Sequence, residues 1–141
     1  MMRDDGVRVL LVEDNLQHAR LVQAFLSKFE TPSYALVHAD RLSTGLERLR
    51  ESGVDTILLD LTLPDSGGLE TFQKIHAQAK GIPIVVLSGI DDEELAVRAV
   101  REGAQDYLLK GDLNGSALVH ALRFAIERHK VHAAAPTQEQ P

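Results

Sequence analysis

Hydrophobic residues along this chain fall into two patterns that take turns. Short uninterrupted runs, Val9-Leu10-Leu11-Val12, Thr56-Ile57-Leu58-Leu59, Pro83-Ile84-Val85-Val86-Leu87 and the briefer Tyr107-Leu108-Leu109, read as strands buried on both faces. Residues 34–37 read as a weaker strand. Between these runs the apolar residues recur at helical spacing: Leu21, Val22, Phe25, Leu26 and Phe29; then Leu42, Leu46 and Leu49; then Leu69, Phe72, Ile75 and Ala79; then Leu95, Ala96, Ala99 and Val100; and last Leu118, Leu122, Ala125 and Ile126. Pro32 stops the first helix and Gly53 closes the second. The acids at 91–94 suit the positive N-terminus of the fourth, and the fifth begins near Asn114. Five strands and five helices in strict alternation predict an α/β fold, a doubly wound (βα)5 domain of three layers around a parallel sheet. The expected boundaries are an N-terminal tail at 1–6, the domain at 7–130 and a flexible C-terminal tail at 131–141, which carries no apolar stripe.

Composition narrows what such a domain does. A length of 141 residues allows one domain and little more. No apolar run approaches the ~18 residues of a membrane span, and no leader is visible at the start. The absence of Cys excludes disulfides, thiolate metal sites and Cys nucleophiles, and fits a reducing compartment, so the expected location is the cytoplasm. A net charge of −6 counts against direct nucleic-acid binding. The expected partners include neither membrane nor nucleic acid.

The chemistry gathers where the apolar runs stop. Glu13 and Asp14 follow the first strand, Asp60 the third, Ser88 the fourth and Lys110 the fifth. Ligands of open α/β sheets bind at the carboxyl ends of the strands, where the strand order reverses. With an order of 2-1-3-4-5, strands one and three are neighbours there, and Glu13, Asp14 and Asp60 converge. Three close carboxylates either raise one another's pKa or recruit a cation, and an all-oxygen donor set in a shallow site favours Mg²⁺. Each residue also has a plainer reading: Asp14 as a helix cap, Ser88 as a turn residue, Lys110 as a solvated lysine, Tyr107 as an edge-strand aromatic. The set as a whole is poorly explained that way. The six histidines (His18, His38, His76, His120, His129 and His132) are scattered, lack metalloprotease spacing and read as surface residues.

Leu11-Val12-Glu13-Asp14-Asn15, Ile57-Leu58-Leu59-Asp60-Leu61-Thr62-Leu63-Pro64, Leu87-Ser88-Gly89 and Gly103-Ala104-Gln105-Asp106-Tyr107-Leu108-Leu109-Lys110 together resemble the signature of response-regulator receiver domains. The resemblance implies a flavodoxin-like domain in a two-component phosphorelay, taking a phosphoryl group from a sensor histidine kinase or phosphotransfer protein. It implies Asp60 as phosphoacceptor, with Glu13, Asp14, Asp60 and the Thr62 backbone carbonyl as Mg²⁺ ligands. Lys110 would pair with the phosphate, Ser88 would be the switch hydroxyl and Tyr107 the switch aromatic. The downstream effector is unspecified, and a homodimer stays open.

Other features bear on that resemblance. Gly111 stands where the family commonly has proline after a cis bond; a non-proline cis bond costs ~2.5–4 kcal/mol, so a looser loop without one is expected. Asp60-Leu61-Thr62 lacks the second aspartate of haloacid-dehalogenase-like phosphatases, and no phosphate-binding glycine motif occurs. Turnover of an external substrate is therefore not expected. Two alternatives remain: a constitutive interaction domain with vestigial phosphorylation, and a receiver fragment of a larger hybrid kinase or cyclase, which residues 121–130 resemble.

Overall fold

The computed structural model describes residues 6–30, 32–51 and 53–134, of which 131–134 by backbone only. The elements run β1 (Gly6–Val12), α1 (Leu16–Leu26), β2 (Ser33–Ala39), α2 (Leu42–Arg50), β3 (Thr56–Asp60), β4 (Thr62–Leu63), β5 (Ser66–Gly67), α3 (Leu69–Gln78), β6 (Ile84–Ser88), α4 (Glu93–Arg101), β7 (Asp106–Leu109) and α5 (Gly115–Ala134). Single 3₁₀ turns occupy Ile90–Asp92 and Lys110–Asp112. Five strands form one parallel sheet in the order β2-β1-β3-β6-β7. Counting long strands only, this is the expected order 2-1-3-4-5. The two extra strands form a two-residue antiparallel hairpin inside the turn-rich segment after Asp60.

Alternation along the buried strands divides the interior in two. Leu10, Val12, Ile57, Leu59, Ile84 and Val86 face one way and pack with α2, α3 and α4 through Leu42, Leu49, Phe72, Ile75, Ala96 and Ala99. Val9, Leu11, Leu58, Val85 and Leu87 face the other way and pack with α1 and α5 through Ala19, Val22, Leu26, Leu118, Leu122 and Ala125. Because both faces are covered, these strands are apolar throughout, as their sequences imply. α2 comes close to β1 at Gly45, where an added Cβ would lie 3.0 Å from Val12 Cγ2.

The register brings the strand ends level. Val12 pairs with Ala39, Asp60 with Leu87 and Ser88 with Leu109. The polar residues that follow these positions are therefore delivered to one edge of the sheet.

Several sequence expectations change at the ends of helices. α1 buries Ala19, Val22 and Leu26, while Leu21 is 41 % exposed. Phe29 lies beyond the helix, which closes at Ser27, and packs edge-on against Tyr34 with ring centroids 6.4 Å apart. α5 continues through Ala134, four residues past the expected domain boundary, and strand β1 already begins at Gly6. Residues 1–5 and 135–141 of the expected tails lie outside the described residues. The segment after Lys110 is tighter than expected: it makes a 3₁₀ turn, and Asn114 caps α5 by accepting the Ala117 N–H at 2.8 Å.

α2 is capped from a distance. Arg41 at its N-cap makes no side-chain cap bond, and the Asp65 carboxylate, from the turn between β4 and β5, accepts the N–H groups of Leu42 (2.8 Å) and Ser43 (3.0 Å). The small burial of Asp65 raises its pKa, but these backbone donors outweigh it and hold the carboxyl below its usual range. Its stabilisation is present above the unfolded-state pKa and fades as pH falls through the lower folded value. Asp65→Ala is expected to cost about 1 kcal/mol at pH 7 in urea unfolding, the usual loss of an N-cap. That difference should vanish in acid, once Asp65 is protonated in both states.

Candidate functional site

The first acid of the cluster is held by backbone geometry. The Glu13 N–H extends the β1–β2 ladder to Ala39 O (2.9 Å), and the side chain turns inward with no exposed surface. The Asn15 N–H donates to Glu13 Oε2 at 3.0 Å. Asn15, not Asp14, caps α1, accepting the His18 N–H at 3.1 Å. The cap reading of Asp14 is thus replaced by a neighbour, and Asp14 stands exposed beside Glu13.

Asp60 ends β3 with 4 % of its surface exposed. Its Oδ1 accepts the Thr62 N–H at 3.1 Å, and its Oδ2 accepts from Lys110 Nζ at 2.9 Å. The same ammonium lies 3.2 Å from Glu13 Oε1 and 3.4 Å from Oε2. Only the longer contact has hydrogen-bond geometry, so Oε1 is buried without a hydrogen bond among the described residues. Carboxylate oxygens of Glu13, Asp14 and Asp60 all lie within 4.8 Å of one another. The structure therefore brings together Glu13, Asp14, Asp60 and Lys110.

Electrostatics in this cluster are under tension. Burial, reinforced by the Asp60 charge, pushes Glu13 up to about 7, although the Asn15 N–H and Lys110 pull the other way. Burial pulls Lys110 down, but the hydrogen bond and charge of Asp60, together with Glu13, outweigh it and leave the ammonium above the usual lysine value. One lysine thus serves two carboxylates, those of Glu13 and Asp60. The oxygen-only donor set, the crowding and the unbonded Oε1 fit a hard divalent cation such as Mg²⁺.

Of the remaining residues, Thr62 meets this cluster only through its backbone N–H, and the hydroxyls of Ser88 and Tyr107 are engaged elsewhere. Ser88 is buried at the end of β6, and its hydroxyl donates to Gly89 O at 2.9 Å. Thr62 lies two residues past Asp60, with its side chain exposed. Tyr107 on β7 is half-buried, and its hydroxyl donates to Glu93 Oε2 at the start of α4, at 2.8 Å. That hydrogen bond to a carboxylate holds the phenol above its usual pKa.

Two participants were not foreseen. Glu93 was assigned only to the acidic opening of a helix. His38, grouped with surface histidines, is half-buried on β2, and its Nε2 lies 2.7 Å from Glu13 O. No local motif marks either residue; both contacts cross between elements.

Because Glu13 is raised when folded, its neutral form stabilises the metal-free protein below the unfolded pKa near 4.5, and this contribution is lost as pH rises to about 7. A shift of that size corresponds to about 3 kcal/mol. Metal-free Glu13→Gln protein should therefore be more stable than wild type at pH 8, by an amount of that order, and should lose the slope between pH 4.5 and 7 in chemical denaturation.

Comparison with known proteins bears on the family of this chain. The family model described as "Response regulator receiver domain" matches residues 9–123. The transcriptional regulatory protein ZraR of Escherichia coli (strain K12) is 30 % identical over 136 residues, covering 96 % of this chain and 30 % of ZraR. The swarming motility regulation protein RssB of Serratia marcescens is 36 % identical over 104 residues, covering 74 % of this chain and 46 % of RssB. The chain thus spans less than half the length of either relative. Among solved structures, the signal receiver domain of an HD domain-containing protein from Pseudomonas fluorescens Pf-5 superposes with a TM-score of 0.80 at 27 % identity, covering 95 % of this chain and 96 % of that one. The match across most of its length, together with the fold, makes this chain a member of the response regulator receiver domain family.

Proposed function

We propose that this domain is a phosphorylation switch in which Asp60 accepts a phosphoryl group from a histidine kinase or phosphotransfer protein. The observation that carries the reading is the setting of Asp60: nearly buried, bonded to Lys110 at 2.9 Å and crowded by Glu13 and Asp14. In the reaction an Asp60 carboxylate oxygen attacks phosphorus, the bond from phosphorus to the donor's histidine nitrogen breaks, and the nitrogen keeps the electron pair. Aspartate is a competent nucleophile for this when it is aimed and relieved of repulsion. Mg²⁺ held by Glu13, Asp14, Asp60 and the Thr62 carbonyl would neutralise part of the incoming charge. Lys110 already donates to Asp60 and is placed to neutralise a phosphoryl oxygen.

The new phosphate asks for donors, and the Ser88 hydroxyl supplies one by leaving Gly89 O. Its inward movement opens space for the Tyr107 ring, which gives up Glu93 as it enters. The surface of α4, β7 and α5 changes with it, and an effector protein reads that change.

Incubation with acetyl phosphate and Mg²⁺ should add one phosphoryl group by intact mass, and Asp60→Asn should add none. Lys110→Ala should slow the reaction by ~10²-fold, the usual scale for losing one charge-stabilising donor. A wild type that takes up no phosphate, or Asp60→Asn that takes up as much, would sink the proposal and leave a constitutive interaction domain.

Movement of Tyr107 can be read separately. The chain has two tyrosines and no tryptophan. The buried Tyr34 hydroxyl has no partner among the described residues, so Tyr34→Phe should be tolerated and leave Tyr107 as the sole emitter. In that variant, phosphorylation should reduce acrylamide quenching of Tyr107, whereas adding Ser88→Ala should weaken the response while Asp60 still becomes phosphorylated.

A further inference from the structure

The Glu13 carbonyl stands just past the end of the sheet. β1 pairs with β2 as far as Val12 and Ala39, and the Glu13 N–H still reaches Ala39 O. Beyond that β2 has ended, so no strand can supply a donor for the Glu13 carbonyl. A side chain supplies it instead. His38 Nε2 lies 2.7 Å from Glu13 O. A carbonyl oxygen only accepts, so Nε2 carries the proton and donates.

We infer that His38 is a positioning residue for the cation site, setting the direction of Asp14 through the Glu13–Asp14 peptide. The inference rests on the proposed binding of Mg²⁺ by Glu13, Asp14 and Asp60. A peptide unit is planar and rigid, so holding the carbonyl of Glu13 also orients the N–H and Cα of Asp14. Asn15 holds the far side through its N–H to Glu13 Oε2 and its own cap bond to His18. The turn between β1 and α1 is thus tied at Glu13 N, Glu13 O and Asn15 N. Asp14 is exposed, and no hydrogen bond orients its carboxylate among the described residues. Its placement comes from the backbone alone.

The ring borders a groove lined also by Leu16, Ala19, Arg20 and Leu36. Removing it frees the Glu13–Asp14 peptide to rotate, and a cation must then order Asp14 at the expense of its own affinity. Partners that orient metal ligands from behind typically contribute 10–100-fold in affinity.

The experiment compares wild type, His38→Ala and His38→Gln, the last keeping an N–H donor of similar reach. Calorimetric Mg²⁺ titration of the unphosphorylated proteins should show His38→Ala binding about 10-fold more weakly, with His38→Gln recovering most of the loss. Amide hydrogen exchange at Asp14 and Asn15 in metal-free protein should quicken in His38→Ala, while the β3 and β6 amides remain protected. Phosphorylation by acetyl phosphate should need more Mg²⁺ in His38→Ala but approach the wild-type rate at saturation. Unchanged Mg²⁺ affinity in a folded His38→Ala protein would overturn the inference, as would a loss that tracks global destabilisation and is not rescued by His38→Gln. Wild-type protein that binds no Mg²⁺ would remove the cation reading itself, a separate and distinguishable failure.

Discussion

Crowded negative charge at one edge of the sheet is the constraint on which the rest of this domain depends. Glu13 and Asp60 are both almost without solvent, Asp14 is beside them, and Lys110 is the cation that answers them among the described residues. Such an arrangement is expensive for folding alone, since an isolated buried carboxylate would sooner be protonated. The rise of Glu13 to about 7 is that cost made visible. A domain selected only for stability would replace these residues with apolar ones, which often serve as well or better than buried ion pairs. Their presence together is an argument for chemistry at this edge.

The fold makes the crowding attainable. Parallel strands all end in the same direction, and the register, with Val12 opposite Leu59 and Asp60 opposite Leu87, ends β1, β3 and β6 within about one residue of one another from strand to strand. Each polar side chain is carried by a strand whose preceding residues are locked in one of the two cores, so its position is set by packing on both faces. Lys110 follows β7, on the far side of β6, and its ammonium reaches Asp60 at the end of β3 and Glu13 after β1. The hairpin after Asp60 adds a further tie through Asp65, which couples the segment carrying Thr62 to the start of α2.

What the sequence made legible follows from how local each signal is. Apolar runs revealed the central strands β1, β3 and β6 because burial on both faces leaves no alternation to confuse; the edge strands β2 and β7 are only partly buried and gave weaker runs, and the polar residues after the runs marked the edge. The hairpin of Thr62–Leu63 and Ser66–Gly67 was readable only as turns, since two-residue strands carry no period. The stripe proposed for α1 drifted because Leu21 has the wrong phase and Phe29, though in phase, lies beyond the end of the helix: with Asn15 as cap, the inward arc centres on Ala19, Val22 and Leu26. Asn15 and Asp14 are both capable caps and adjacent, so only the fold could choose between them. His38 and Glu93 were illegible for a different reason. Their partners, Glu13 and Tyr107, are 25 and 14 residues away and are brought to them by tertiary structure.

The resting hydrogen bonds also bear on how a charge placed on Asp60 could be felt elsewhere. Ser88 and Tyr107 are each satisfied in the present structure, one by the carbonyl of Gly89 and the other by Glu93. Neither is an idle group awaiting a ligand. On the proposed reading, phosphate on Asp60 competes with these bonds, which would give two discrete arrangements in place of a continuum, the requirement for a switch. The Tyr107–Glu93 bond also runs from β7 to the first turn of α4, so the two elements cannot be rearranged independently while it stands. On the proposed reading, phosphate does not pull the distant surface directly. It offers Ser88 a better acceptor, and the vacancy that follows makes burial of the Tyr107 ring worth more than its hydrogen bond to Glu93. The bond from tyrosine to glutamate then sets the threshold of the response, because its strength decides how strongly the site must favour the second arrangement before the surface changes.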